Sequence, residues 1–145
     1  MEEEVKDVVE EQESFLDLGE DLDNIPDLMT VADEDYELRL VTFERRPGKK
    51  KGPFLFTEFE IVGQPDTKII RHVLMLPTEN DPERQKNNRK RAIKYFYKCF
   101  GIPTAGPIVY SEYIGNTGWA TLLEETDPTY GKQNRIARFR NSDSE

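Results

Sequence analysis

Cysteine, histidine and tryptophan each occur once in the 145 residues, as Cys99, His72 and Trp119. A lone cysteine forms no internal disulfide and agrees with a reducing compartment. One cysteine with one histidine also falls short of the ligand set of a structural zinc site. No apolar run approaches the roughly 18–20 residues that cross a bilayer, so no membrane segment is expected. The start, Met1-Glu2-Glu3-Glu4, has neither the basic nor the apolar part of a secretory signal. The expected location is the cytoplasm. Catalytic motifs are missing too: there is no P-loop, no HExxH, no CxxC and no nucleophile elbow. Carboxylates are plentiful, but they gather in a stretch that nothing holds rigid enough for metal-dependent nuclease chemistry. The expectation is a protein without cofactor, metal or enzymatic activity.

Charge is abundant, and it is sorted by position. The formal net charge is −9. Residues 1–37 hold sixteen Asp and Glu against Lys6 alone, a net of −15. Residues 38–140 carry nineteen Lys and Arg against eleven acids, a net of +8. A whole-chain pI of about 4.8 argues against a nucleic-acid partner, whereas the basic region taken alone argues for one. We therefore divide the chain into an acidic, largely disordered arm (1–34), a folded domain (35–140) and a short acidic tail (141–145). Small apolar islands interrupt the arm at Val8-Val9, at Phe15-Leu16 and at Ile25, Leu28 and Met29. Such islands suit docking on a basic surface or a partner groove, and a solvated linker fits the composition equally well.

Within the folded part, Tyr36, Leu38 and Leu40 alternate with Glu37, Arg39 and Val41, the period of a strand. Arg45-Arg46-Pro47-Gly48-Lys49-Lys50-Lys51-Gly52-Pro53 then reads as a cationic loop. The second strand, 54–62, places Leu55, Thr57, Phe59 and Ile61 on one face and Phe54, Phe56, Glu58 and Glu60 on the other. Gly63-Gln64-Pro65-Asp66 predicts a hairpin turn, and 67–76 a third strand. A helix follows Pro82, with Asn80 or Asp81 as its cap and Gly101 as its stop. Its apolar stripe is Ile93, Phe96 and Phe100. Residues 108–114 read as a short strand or an irregular crossing. Strands at 119–125 and 134–139 close the domain. Three strands, a helix and two strands match the order of an OB-fold, a five-stranded partly open barrel with a helix between strands three and four. The expected fold class is thus mainly β: an OB-fold-like barrel plus an acidic N-terminal arm.

From Tyr36 onward the sequence resembles a group of short phage-encoded proteins regarded as single-stranded-DNA-binding OB-folds. The resemblance rests on Asp35-Tyr36-Glu37-Leu38-Arg39-Leu40, on Phe59-Glu60-Ile61-Val62, and above all on a C-terminal pattern. That pattern is Gly118-Trp119-Ala120, Asp127, Tyr130-Gly131, Asn134 and Ile136-Ala137-Arg138-Phe139. The resemblance as a whole covers roughly the last three-quarters of the chain. It implies an accessory protein of phage DNA replication or recombination, acting in the host cytoplasm. Many proteins of this kind keep an acidic partner-binding tail at the C-terminus; here the long acidic stretch is N-terminal.

Single-strand binding without sequence preference needs a cationic track for phosphates and flat apolar faces for bases. The loop cations Arg45, Arg46, Lys49, Lys50 and Lys51 are candidates for the first, since OB-folds use the loop between strands one and two for ligand contact. Phe54 and Phe56 are candidates for the second, with packing beneath the arm as the competing reading. Trp119 reads equally as core or as stacking platform. Arg39, Arg135 and Arg138 complete the candidate set; Arg140 lies with Arg135 and Arg138 along one strand edge, where phosphate contact and plain solvation are equal readings, and Tyr110 and Tyr113 are weaker stacking candidates. The basic helix face reads as solvated, and His72 and Cys99 as structural. The partner expected is single-stranded DNA. Replication or recombination proteins would be further partners through the arm, which internally competes with DNA for one positive surface. The alternative function is an adaptor that recruits such proteins and uses the barrel as scaffold.

Overall fold

Alternation of apolar and polar side chains becomes a curved antiparallel sheet in the computed structural model, which describes residues 16–141. Val8, Val9, Phe15 and most of the C-terminal tail lie outside the described residues. The elements are β1 (Glu34–Arg46), β2 (Phe54–Ile61), β3 (Ile70–Met75), α1 (Glu83–Phe100), β4 (Thr117–Asp127) and β5 (Gly131–Arg140). Short 3-10 turns occupy Leu22–Asn24 and Tyr110–Tyr113. The sheet order is β3-β2-β1-β4-β5, with every neighbouring pair antiparallel. The described residues are mainly β, with five strands and one long helix.

β1 is 13 residues long and serves two partners. Glu34 to Arg39 pair with β4, and Leu38 to Arg46 pair with β2. A bulge between Leu40 and Thr42 marks the handover. There Leu40 bonds instead to the turn before β4, donating to the Asn116 carbonyl (2.9 Å) and accepting from the Gly115 amide (2.8 Å). A bulge bends its strand and sharpens the local twist, so the sheet curls around one face.

That inner face holds the core. Leu38, Leu40, Phe43, Leu55, Phe59, Ile61, Ile70, Leu74, Ala120, Leu122 and Ile136 are buried. α1 lies against them through Phe96 and Phe100, with Ile93 partly buried beside them. Phe59 meets Phe100 at 5.1 Å and Phe96 at 6.0 Å between ring centroids, and Phe43 meets Phe96 edge-on at 5.4 Å. Each buried aromatic of this kind stabilises by about 1.5–3 kcal/mol through area alone, with ring geometry adding to it. α1 ends at Gly101, whose φ of 71° lies in the left-handed region that glycine tolerates. Its start differs from expectation. Pro82 is the cap and Asp81 makes no capping bond. The Asp81 carboxylate accepts from the Thr78 amide (2.9 Å) and from Arg89 (2.7 Å), so it ties the incoming loop to the second turn of the helix.

The sheet is not closed into a barrel. β3 and β5 are its edges, and they approach each other without pairing: the His72 ring meets the Phe139 ring edge-on at 5.3 Å. At one end of this seam the N-terminal stretch is laid between them. Met29 donates to the Asp66 carbonyl and accepts from the Lys68 amide, both at 2.9 Å. Asn134 of β5 brackets Val31, accepting from its amide (2.8 Å) and donating to its carbonyl (2.9 Å). The chain therefore joins the domain at Met29, ahead of the Asp35 boundary read from composition. Asn141 belongs to the domain as well, being buried and donating to the Tyr95 carbonyl. Residues 108–114 are the 3-10 turn and its flanks rather than a strand.

Two substitutions test this packing. A Cβ on Gly118 would lie 2.7 Å from Cys99 Sγ and 2.8 Å from the Cys99 carbonyl oxygen. Gly118→Ala should therefore cost about 1–3 kcal/mol by overpacking, read as a lower urea midpoint. Asn134→Ala leaves both polar groups of Val31 without their partner and should cost about 1–3 kcal/mol in the same assay.

Candidate nucleic-acid interface

The face of the sheet turned away from α1 carries most of the candidate residues, in two separate groups. The first lies where β1 ends and β2 begins. Strand alternation keeps Leu55, Thr57, Phe59 and Ile61 buried and turns Phe54 and Phe56 outward, as read from the sequence. Both phenylalanines are half-buried. The Arg46 guanidinium lies over the Phe56 ring at 3.7 Å from its centroid and pairs with Glu44 at 3.3 Å. Phe56 is thus covered by a cation rather than open to a base, while Arg46 itself stays partly exposed. Val73 and Met75 continue this surface on β3 as the register partners of Phe56 and Phe54. Lys49, Lys50 and Lys51 project from the adjoining loop and are exposed. Gly48, at φ 64°, permits the tight turn there: a Cβ on it would come within 2.0 Å of the Gly52 carbonyl oxygen.

Arg45 parts from this group. Its register partner is Leu55, a residue of the inner side, so Arg45 leaves the strand on the side of Phe43 and α1.

The second group surrounds Trp119. Its neighbours Gly118 and Ala120 are buried, so Trp119 points outward, 52% exposed. That removes the core reading for this residue. Across the strands it faces Glu37 on one side and Arg140 on the other. Arg138 is exposed nearby, opposite Thr121.

Ion pairs separate the cations further. Arg39 pairs with Glu60 (2.8 Å), Arg71 with Glu58 (2.9 Å), Arg135 with Glu125 (2.7 Å) and Arg140 with Asp35 (3.6 Å). Arg39 and Arg135 therefore reach solvent already neutralised. The structure brings together Arg46, Lys49, Lys50, Lys51, Phe54 and Phe56, and leaves Trp119 with Arg138 as a distinct patch. Tyr130, 69% exposed in the β4–β5 turn, is the most open aromatic among the described residues. Its place in the Asp-Pro-Thr-Tyr-Gly turn, where Asp127 accepts from the Thr129 and Tyr130 amides, was the available signal. Tyr110 and Tyr113 are half-buried, Tyr110 against Phe43 at 4.8 Å, and belong to the core margin.

Cys99 and His72 have structural surroundings. Burial pushes the Cys99 thiol up to about 11, and it donates to the Trp119 carbonyl at 3.2 Å. It stays protonated and unreactive near neutral pH. Among the described residues no group of three or more His, Cys, Asp or Glu is placed to hold a metal ion. Nor is any described helix long and apolar enough to cross a membrane.

Burial holds His72 below its ordinary value of 6.5. The unfolded chain thus takes up a proton at a pH where the folded chain does not. The stability this contributes is full above about 6.5 and is lost as pH falls toward the lower folded value. Urea midpoints measured from pH 7.5 to 5 should decline in the wild type and decline less steeply in His72→Gln.

No protein-family model matches the chain, and no curated protein matches it.

Proposed function

We propose that the chain is a single-stranded-DNA-binding protein on an OB-like barrel, acting without sequence specificity and without catalysis. The observation that carries this reading is the cationic loop beside the outward phenylalanines. Lys49, Lys50 and Lys51 have no ion pair among the described residues, in contrast to the matched arginines of the sheet. Charges left unmatched at a surface are the ones available to phosphates. The strand order, the facing β3 and β5 edges and the helix between β3 and β4 support an OB-like barrel with an open seam.

In this reading the phosphates run along the loop, where each neutralised charge releases a counterion. Bases stack on Phe54 and on the exposed face of the Arg46 guanidinium, which Phe56 supports from beneath. A guanidinium held over a ring, here with its carbon 3.7 Å from the centroid, offers a surface akin to an aromatic side chain, with a positive charge added. The resemblance noted from Tyr36 onward extends the proposal to phage replication or recombination.

One observation favours a second reading, an adaptor. Leu16, Leu18, Leu22, Ile25 and Leu28 are all exposed and alternate with acids over a stretch that runs up to the Met29 anchor. This is an acidic-apolar strip suited to a partner groove. A deletion that tests it should stop short of Met29, because Met29 and Val31 are bonded into the seam.

Titration of oligo(dT) at two salt concentrations, followed by Trp119 fluorescence and gel shift, separates the two readings. Replacing Lys49, Lys50 and Lys51 together by Gln should flatten the log-log salt slope by about 2. Phe54→Ala should cost about 1–3 kcal/mol of binding. Absence of binding at micromolar protein and low salt would remove the DNA reading and favour the adaptor.

A further inference from the structure

We infer that the face of α1 is a second stretch of the same phosphate track, so that a single strand leaving the β1–β2 loop continues along the helix. This rests on the DNA-binding reading above. α1 carries Arg84, Lys86, Arg89, Lys90, Arg91, Lys94 and Lys98 against one acid, Glu83. Lys86, Lys90 and Lys94 fall at i, i+4 and i+8, one above another along one side, at about 5.4 Å per turn. Like charges at this spacing repel and weaken a helix. Arg84 and Lys86 also crowd the first turns, where the helix dipole favours anions. The fold relieves little of this. Asp81 takes Arg89 at 2.7 Å, and its carboxyl is held down first by the Thr78 amide and further by Arg89 and Lys86. Arg91 donates to the Asn88 side chain, which is neutral. Lys90 and Lys94 have no carboxylate within ion-pair distance among the described residues.

Geometry joins this row to the loop. The Pro53 carbonyl, two residues after Lys51, accepts from the Leu76 amide at 3.1 Å. Arg89 donates to the Leu76 carbonyl at 3.2 Å and so fastens the helix to the same segment. Pro77 then lines a groove of about 470 Å³ together with Lys90, Arg91, Lys94, Ile93 and Tyr97. Arg45 departs β1 toward this side, beside Phe43, whose ring meets Tyr97 at 6.3 Å. A groove that brings Pro77, Ile93 and Tyr97 together with Lys90, Arg91 and Lys94 offers apolar surface for bases and cations for phosphates. The chain's own acidic stretch is rooted at the opposite end of β2, where Met29 bonds to Asp66 and Lys68.

The test pairs Lys90→Gln/Lys94→Gln with Lys132→Gln, a cation on the distant β4–β5 hairpin. Affinity is measured for oligo(dT) of about 6 and about 20 nucleotides, a range that brackets OB-fold site sizes. The thermal midpoint of the double variant should hold or rise, because a repulsion is removed. Its binding to the long strand should weaken on the order of tenfold at low salt, with the salt slope flattened by about 1.4. Binding to the short strand should stay at the wild-type level, and Lys132→Gln should change neither. Long-strand binding by the double variant equal to or tighter than wild type would overturn the inference while leaving the loop site standing. Equal weakening for both lengths, or the same loss in Lys132→Gln, would reduce the effect to net charge and also overturn it. Wild-type protein that binds neither strand would remove the loop reading itself.

Discussion

One strand has to satisfy two partners, and the shape of the molecule follows from that. A straight strand the length of β1 would span about 43 Å, far more than one neighbour of eight residues can pair. β1 gives its first half to β4 and its second to β2, and it turns at the bulge after Leu40. The turn wraps the inner face around Phe59 and makes room for Phe96 and Phe100. It also places the end of β1, with Arg46 and the lysine loop, on a different part of the outer surface from Trp119. The division of the candidate residues into two groups is thus a result of strand pairing.

Apart from Arg138, the arginines of the outer surface are paired with the sheet's own glutamates and aspartates. Arg39 faces Glu60 and Arg71 faces Glu58 as direct register partners. Exposed pairs of this sort contribute only about 0–1 kcal/mol each. Their larger effect is to cancel charge across the middle of the sheet. Among the described residues, cations without an ion pair gather at the β1–β2 loop and along α1, with Arg138 beside Trp119 a further one. A net charge of −9 describes neither region.

Features with a local cause were legible in the sequence. The alternation from Phe54 to Ile61 gave the buried and outward faces of β2 residue by residue, because a strand has period two and only one face meets the core. Gly101 marked the end of α1 because the left-handed cap there needs a residue without Cβ. Features caused by register were not legible. The covering of Phe56 by Arg46 depends on a diagonal across two strands, since the direct partner of Arg46 is Phe54. The outward direction of Trp119 depends on Gly118 meeting Cys99 from a helix twenty residues away. Asp81 looked like a cap, yet Thr78 and Arg89 claim its carboxylate. Met29 and Val31 were hidden by the acids around them: composition described a tail, while backbone bonds from Met29 to Asp66 and Lys68 and two bonds between Asn134 and Val31 made them part of the domain.

The anchoring of Met29 has an electrical consequence. β2 is about 26 Å long; its first residue adjoins the lysine loop, and its last leads to the turn where the acidic stretch is tied down. That separation exceeds the roughly 8–10 Å over which salt screens exposed charges. Carboxylates fixed at the Met29 anchor, Asp66 among them, are therefore screened from the lysine loop, and an anion nearing the loop feels its cations undiminished by them.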